Sequence, residues 1–237
     1  HDASLFEIPP MNFLPPNPSK WLKNRTLPLL IALVALIGLH PLFLLSNGDA
    51  NNLFPGLVIC IPLFGVIALT NWKRSIPLVV LFVVMVTWCW LMYGFDQVAV
   101  ARSPIAYIIS VYYIYAIIAL ASEMLKNESL IDDRVYGGIS IYLLAAMMFS
   151  NIHRHVSAVD PNAYFLTLGD KPILLLWNDA IYFSISTITT VGYGDIIPMS
   201  AWARATCMLE AIVGVFITIV FIARLASLPS KPRNQKH

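Results

Sequence analysis

Residues 189–195 read Thr-Thr-Val-Gly-Tyr-Gly-Asp, and the rest of the chain takes its meaning from what this backbone can do. Stripping water from a small cation requires several successive carbonyl oxygens turned to one side, which requires dihedrals that alternate in hand. Glycine takes positive φ at almost no steric cost, and Gly192 and Gly194 stand at alternate positions. The carbonyls of Thr190, Val191, Gly192 and Tyr193 then face one axis, with the Thr190 hydroxyl as an inner ligand. Val191 and Tyr193 point their side chains backward into packing. Rings of carbonyl dipoles suit an alkali cation, because they replace hydration oxygens without a fixed charge that would trap the ion. One strand supplies one wall, and enclosing an ion needs four. The chain holds a single copy, so the site implies a fourfold homotetramer.

The surroundings of that stretch are those of a membrane protein. Of 237 residues, 58% are hydrophobic and 12% charged, with a mean hydropathy of +0.73. A soluble domain carries about twice that charged fraction. A net charge of +2 without a basic stripe excludes nucleic acid as a partner. Cys60, Cys89 and Cys207 are widely spaced in apolar runs and read as reduced core residues, neither a disulfide framework nor a metal site. The chain opens with His1, and Met11 is a candidate native start, which would make residues 1–10 vector-derived.

A membrane helix needs roughly 20 mostly apolar residues. Stretches at about 27–46, 51–71, 76–95, 104–122 and 201–228 meet that test, and a shorter one at 135–152 is continuous from Val135 to Phe149. Pro28, Pro41, Pro55, Pro62 and Pro77 begin or interrupt the first three spans and predict kinks there. Between the sixth and last spans, 177–190 is apolar but too short to cross, and a glycine-containing turn follows it. This is the pattern of a re-entrant element, whose irregular backbone is tolerated only where protein or a water-filled cavity shields it from lipid. Six spans with the N-terminus inside place eleven of the 15 Lys and Arg residues in the cytoplasm and only Arg102, Arg154, Lys171 and Arg204 outside. The positive-inside rule therefore puts both termini in the cytoplasm, and the re-entrant segment enters from the outer face.

The helix before the filter, about Asn178 to Thr189, would aim its partly negative C-terminal end at the pore centre, with Asn178 or Asp179 capping its start. The stretch from Trp177 to Pro198 resembles the pore loop and signature sequence of tetrameric potassium channels. The match to Thr-Val-Gly-Tyr-Gly at 190–194 is complete and extends to Asp195 and Pro198. The resemblance implies that Thr190, Val191, Gly192, Tyr193 and Gly194 line a K+ selectivity filter, the first four as metal ligands, with Asp195 at the outer mouth. It also implies that Gly214, nineteen residues after Asp195, is the glycine at which the inner helix bends; close helix packing is the other reading of a membrane glycine. Residues 214, 218 and 222 share a face, so Thr218 and Ile222 are expected to line the cavity or inner gate. Residues 201–228 resemble the inner helices of small prokaryotic channels more than those of inward rectifiers.

Departures from the family pattern are specific. Several such channels carry a pore-helix glutamate four residues before the filter threonine, hydrogen-bonded to the outer aspartate; here that residue is Ser186. Tyr182 stands where relatives carry an aromatic that bonds the same aspartate, so its hydroxyl is expected to reach Asp195. Voltage sensing needs basic residues every third position of a fourth helix, and the span from Ile105 to Ala121 has none, with Tyr107, Tyr112, Tyr113 and Tyr115 as packing and interfacial aromatics. Glu210 inside the last span is a functional candidate, with a hydrogen bond to the pore helix as the structural alternative. His40 reads as an interfacial histidine, Asp96 and Arg102 as a surface pair of little energetic worth, and His153 and His155 as residues of a solvated extracellular turret that could form a pH- or metal-sensing ring.

The fold expected is an all-α membrane protein: six transmembrane helices plus a re-entrant pore helix and selectivity filter, homotetrameric around a central pore. Its parts are a cytoplasmic segment at 1–26, a four-helix bundle at 27–122 and an interfacial helical linker at 123–134. The pore domain follows at 135–228, with outer helix 135–152, turret 153–176, pore helix 177–189, filter 190–195 and inner helix 201–228. A short cytoplasmic tail at 229–237 leaves no room for a ligand-binding domain. The expected function is passive potassium conduction across the plasma membrane by a non-enzyme, with K+ as permeant ion and no organic cofactor. The expected partners are membrane lipid and three further copies of the chain. A subunit that needs an unidentified gating ligand or partner subunit to open, and a weakly selective cation channel, remain alternatives. An ion-coupled transporter would show internal repeats with interrupted helices, and none is visible.

Overall fold

The computed structural model describes residues 26–44, 72–93, 96–124 and 131–226. Seven helices lie within them: α1 (Leu27–Leu44), α2 (Trp72–Tyr93), α3 (Gln97–Arg102), α4 (Ile105–Met124), α5 (Ile131–Val159), α6 (Trp177–Ile188) and α7 (Ala201–Ala226). Among the described residues, α4, Asp133–Val159 of α5 and Ala201–Ala223 of α7 are long and apolar enough to cross a membrane. The apolar stretches described in α1 and α2, Leu27–Leu39 and Val79–Trp88, are shorter. The span expected at 51–71, and the calls on residues 1–25, fall outside the described residues.

The all-α expectation is corrected by a small antiparallel sheet of order β2-β1-β3, formed by β1 (Tyr164–Leu166), β2 (Lys171–Pro172) and β3 (Ile196–Pro198). Strands of two or three residues carry no readable alternation. Their role is plain from the register: Tyr164 faces Pro198 and Leu166 faces Ile196, so the segment after Asp195 is sewn to the segment leaving α5.

The central element is α5. Its flank packs on α4, and α1, α2 and α6 complete the core, with Leu29, Leu33, Met85, Ile109, Tyr112, Leu144 and Trp177 buried. Polar side chains pin the helices at chosen heights. Asn151 of α5 donates to the Ala106 carbonyl of α4 at 2.8 Å and to Ser110 Oγ at 2.9 Å. Thr26, just before α1, donates its hydroxyl to the Asp133 carbonyl at 3.0 Å near the start of α5. A Cβ at Gly138 of α5 would overlap the Phe221 ring of α7, so the absence of a side chain there sets how closely the outer and inner helices approach.

Two boundaries differ from the sequence reading. The outer helix continues seven residues past 152 to Val159, so the turret begins at Asp160. Of the two histidines expected to be solvated there, His153 is buried, 0% exposed, and His155 is partly buried; Arg154 between them is 1% exposed. Arg154 lies 3.9 Å over the Trp177 ring, a cation–π contact that offsets part of its desolvation. The linker is not a separate helix over the residues described, since Glu123 and Met124 end α4 and Ile131–Arg134 form the first turn of α5. Asp96 and Arg102 also have other partners: Asp96 caps α3 by accepting from the Val98 amide at 2.9 Å, and Arg102 donates to the Ala158 carbonyl at 2.9 Å.

Candidate functional site

A helix end leaves its last four carbonyls without intrahelical partners. In α6 these belong to Ile185, Ser186, Thr187 and Ile188, and the chain that follows satisfies them. Ile185 O accepts from the Thr189 amide at 3.1 Å, and Thr187 O from the Thr190 amide at 2.9 Å. Ser186 O accepts from both the Val191 and Gly192 amides, at 2.9 and 3.0 Å. Ile188 O accepts from the Tyr142 hydroxyl of α5 at 2.6 Å.

This back-bonding fixes the other side of the strand. Among the described residues no peptide bond is cis, and in a trans peptide the N–H points opposite to the preceding C=O. Amides 190, 191 and 192 point back at α6, so the carbonyls of Thr189, Thr190 and Val191 point away from it in a row. Positive φ recurs at alternate residues, 61° at Thr190, 54° at Gly192 and 78° at Gly194. Thr190 was not foreseen as left-handed. For a β-branched residue that conformation is a true outlier, of the sort that persists where surrounding bonds overdetermine it; here those are its own amide bond and that of Val191.

The outer end is held by residues the sequence pointed to and one it did not. Tyr182 donates to Asp195 Oδ2 at 2.7 Å, and the Ile196 amide donates to Oδ1 at 3.0 Å. The hydrogen bond to Asp195 pushes the Tyr182 phenol up to about 12. Tyr182 and Tyr193 rings stack, 5.9 Å apart and 7° from parallel. Thr167, in the turret, carried no sequence signal; its amide donates to Asp195 O at 2.8 Å and its hydroxyl to Gly194 O at 2.8 Å. The Gly194 carbonyl, grouped in the sequence with the ion ligands, is thus engaged with the scaffold. Ser186 acts through its carbonyl, while its hydroxyl donates to Phe183 O at 2.9 Å.

Neither Asn178 nor Asp179 caps α6. The cap position is Leu176, without a side-chain bond, because the buried Trp177 ring under Arg154 already sets where the helix begins. Asp179 still lies in the first turn, where an acid complements the positive end of the helix.

Gly214 is buried on the face of α7 that meets α6, and a Cβ there would come within 2.6 Å of Ile188 O. The helix is unbroken from Ala201 to Ala226, so the geometry of Gly214 is that of close packing against the C-terminal end of α6. Thr218 Oγ1 donates to Gly214 O at 2.9 Å, and Ile222 is 59% exposed on the same helix.

Behind α6 lies a polar cluster that sequence reading did not assemble. His153 Nε2 is 2.8 Å from Glu210 Oε2, and its Nδ1 is 2.6 Å from the Tyr164 hydroxyl. Ser184 of α6 bonds both Glu210 Oε1 and the Ala146 carbonyl, the latter at 2.6 Å. Burial pushes the Tyr164 phenol above its ordinary range. His153, Tyr164 and Phe183 meet edge to face at 5.0 to 5.7 Å. His155, read in the sequence as a solvated turret residue that could form a ring with His153, turns away to Ala101 O at 2.7 Å and the Tyr107 hydroxyl at 2.9 Å.

A short helix whose terminal carbonyls are bonded by the following strand, with that strand's own carbonyls aligned outward between two apolar helices, defines a pore-loop protein. Known proteins agree. A family model described as an ion channel matches residues 139–231. Over 80 residues the chain is 34% identical to the potassium channel protein kcv of Paramecium bursaria Chlorella virus 1, covering 34% of this chain and 82% of the viral protein. Over 49 residues it is 43% identical to potassium channel subfamily K member 17 of Homo sapiens, covering 21% of this chain and 15% of the human one. The voltage-gated potassium channel Kch of Escherichia coli (strain K12) is 42% identical over 55 residues, 23% of this chain and 13% of that protein. No solved structure matches. The chain belongs to the pore-loop potassium-channel family.

Proposed function

We propose that this chain is the subunit of a potassium-selective channel that passes K+ down its gradient, assembled as a homotetramer with six spans per chain and both termini in the cytoplasm of a plasma-membrane-bounded cell. The observation that carries the reading is the back-bonding of amides 190–192 to the carbonyls of Ser186 and Thr187, which leaves a row of carbonyls to replace hydration oxygens. Thr190, Val191, Gly192 and Tyr193 hold the ion. Asp195, with Tyr182 and Ser186 behind it, supports the outer mouth and rear of the filter, and Thr218 and Ile222 line the cavity below.

Fourfold assembly is supported by what one chain leaves uncovered. Tyr193 is 70% and Val191 53% exposed, although both would point away from the ion path. A concavity of about 350 Å³ opens beside them, lined by Tyr182, Ile185, Thr189, Val191 and Tyr193 among others. Large apolar groups around a hollow of that kind mark an interaction surface, and neighbouring copies of the same pore domain supply the cover. Potassium efflux from loaded vesicles containing the protein tests conduction: release of K+ with Na+ retained is expected, and equal release of both ions overturns selectivity.

Two further results are expected. Because α4 carries no basic residue, open probability changes only shallowly with voltage; a steep activation curve over a 100 mV range, which needs several charges at about 2.3 kcal/mol each, would contradict this. Tyr182→Phe removes the hydroxyl bonded to Asp195 and is expected to shorten open-filter dwell times in single-channel records without changing selectivity. Unchanged kinetics would sink that role.

A further inference from the structure

Four buried side chains from four elements meet behind the pore helix, and their hydrogens can be counted. Tyr164 of β1, His153 of α5, Glu210 of α7 and Ser184 of α6 are each 0% exposed. The contacts run Tyr164 Oη to His153 Nδ1, His153 Nε2 to Glu210 Oε2, and Glu210 Oε1 to Ser184 Oγ, which also lies 2.6 Å from Ala146 O. Tyr142 of α5 and Cys207 of α7 are the other titratable groups whose fields reach Glu210.

Three proton arrangements fit these positions unequally. In an imidazolium–carboxylate pair both ring nitrogens donate, so the Tyr164 oxygen must accept and its own hydrogen has no acceptor among the described residues. Leaving a buried donor unsatisfied is the costly case. In a neutral imidazole facing a carboxylate, Tyr164 donates to Nδ1, Nε2–H to Oε2 and Ser184 to Oε1. That satisfies the hydroxyls but leaves a fully buried anion held only by neutral donors, which burial strongly disfavours. In the third arrangement Glu210 is a carboxylic acid. Its O–H donates to Ser184 Oγ, Ser184 donates to Ala146 O, His153 Nε2–H donates to Oε2, and Tyr164 donates to Nδ1. Every hydrogen then has an acceptor, and no net charge is buried.

We propose that Glu210 is held as a neutral acid that clips the inner helix to the pore helix through Ser184 and to the outer helix through His153, and that these three are positioning residues for the filter. The leverage is direct. Ser184 is two residues from Ser186, whose carbonyl holds the amides of Val191 and Gly192. Glu210 is one turn before Gly214, which packs on Ile188. The proposal rests on the channel reading above.

The test uses the full chain in planar bilayers and, separately, its infrared spectrum. Glu210→Gln reproduces the neutral acid, since an amide N–H₂ donates to Ser184 while the amide oxygen accepts from His153, but it cannot reproduce a carboxylate. It is expected to keep the wild-type reversal potential and dwell times. Glu210→Ala and the milder Ser184→Ala are expected to give open-filter lifetimes roughly tenfold shorter, the scale of one buried hydrogen bond. The wild-type spectrum is expected to contain the C=O stretch of a protonated buried carboxyl that vanishes in Glu210→Gln. Absence of that band, or a Glu210→Gln channel as impaired as Glu210→Ala, overturns the neutral-acid assignment. Wild-type lifetimes in Ser184→Ala overturn the positioning role even if Glu210→Ala does not assemble. The band does not depend on conduction, and the wild-type reversal potential measured alongside reports on the channel reading by itself.

Discussion

Gly192→Ala is expected to abolish potassium selectivity while leaving the protein folded and assembled. Gly192 sits at φ 54° with nothing within 4 Å of where a Cβ would stand, so a methyl group meets no clash inside the subunit. The penalty is in the backbone: an L-residue pays about 1–2 kcal/mol to stay left-handed, in every copy of the chain. Its cheapest escape is to rotate the peptide between Val191 and Gly192. That rotation breaks the 3.0 Å bond from the Gly192 amide to Ser186 O and swings the Val191 carbonyl out of the row. A filter that has lost one ring of oxygens no longer repays the dehydration of K+ better than that of Na+. Under bi-ionic conditions the reversal potential of Gly192→Ala should collapse toward zero, or the current should disappear, with the oligomer intact on native gels. A variant with wild-type selectivity would mean that the alternating backbone is not what selects.

Gly214→Ala is expected to destabilise the assembled pore domain, and the sign is decided by two opposing magnitudes. Within an isolated helix, alanine is favoured over glycine by about 1 kcal/mol. Against this, the new Cβ would lie 2.6 Å from Ile188 O and 2.7 Å from Ile188 Cγ1. The carbonyl cannot yield easily, because it is backbone at the end of α6 and already accepts from Tyr142 at 2.6 Å. Overpacking of that kind costs about 1–3 kcal/mol, so the clash wins and α7 must separate from the base of the filter. A drop of several degrees in the thermal midpoint of the assembled protein is expected, together with reduced current. The hinge reading makes a different prediction: an unchanged midpoint with reduced open probability. Measuring both separates a packing glycine from a bending one.

The backbone of 189–195 was legible because its chemistry is local. The need for alternating dihedrals is written in the spacing of Gly192 and Gly194, whereas the Tyr182 to Asp195 bond rests on the resemblance to the channel family rather than on spacing. What stayed hidden depends on partners far along the chain. The last turns of α5 contain Asn151, inside the expected outer helix, and His153, Arg154, His155 and Ser157, which by hydropathy alone resemble a solvated loop. Each is instead matched to a specific partner: Asn151 to Ala106 and Ser110, His153 to Glu210 and Tyr164, Arg154 to the Trp177 ring, His155 to Ala101 and Tyr107, and Ser157 to the Leu175 amide at 2.9 Å. Buried polar groups are paired, but pairing across a sequence separation of 57 residues cannot be read from either end. The same holds for Thr167, whose two bonds to Gly194 and Asp195 exist only because β1 and β3 are adjacent. Gly214 was visible as special but not as to why, since a bend and a close contact call for the same residue.

The most direct measurement of the central claim is the bi-ionic reversal potential of the reconstituted full chain, followed by its dependence on the K+ gradient. The account predicts a reversal that follows the potassium equilibrium potential, moving about 59 mV for each tenfold change in the K+ ratio with Na+ as the opposing cation. A current that reverses near zero under the same gradients would contradict it.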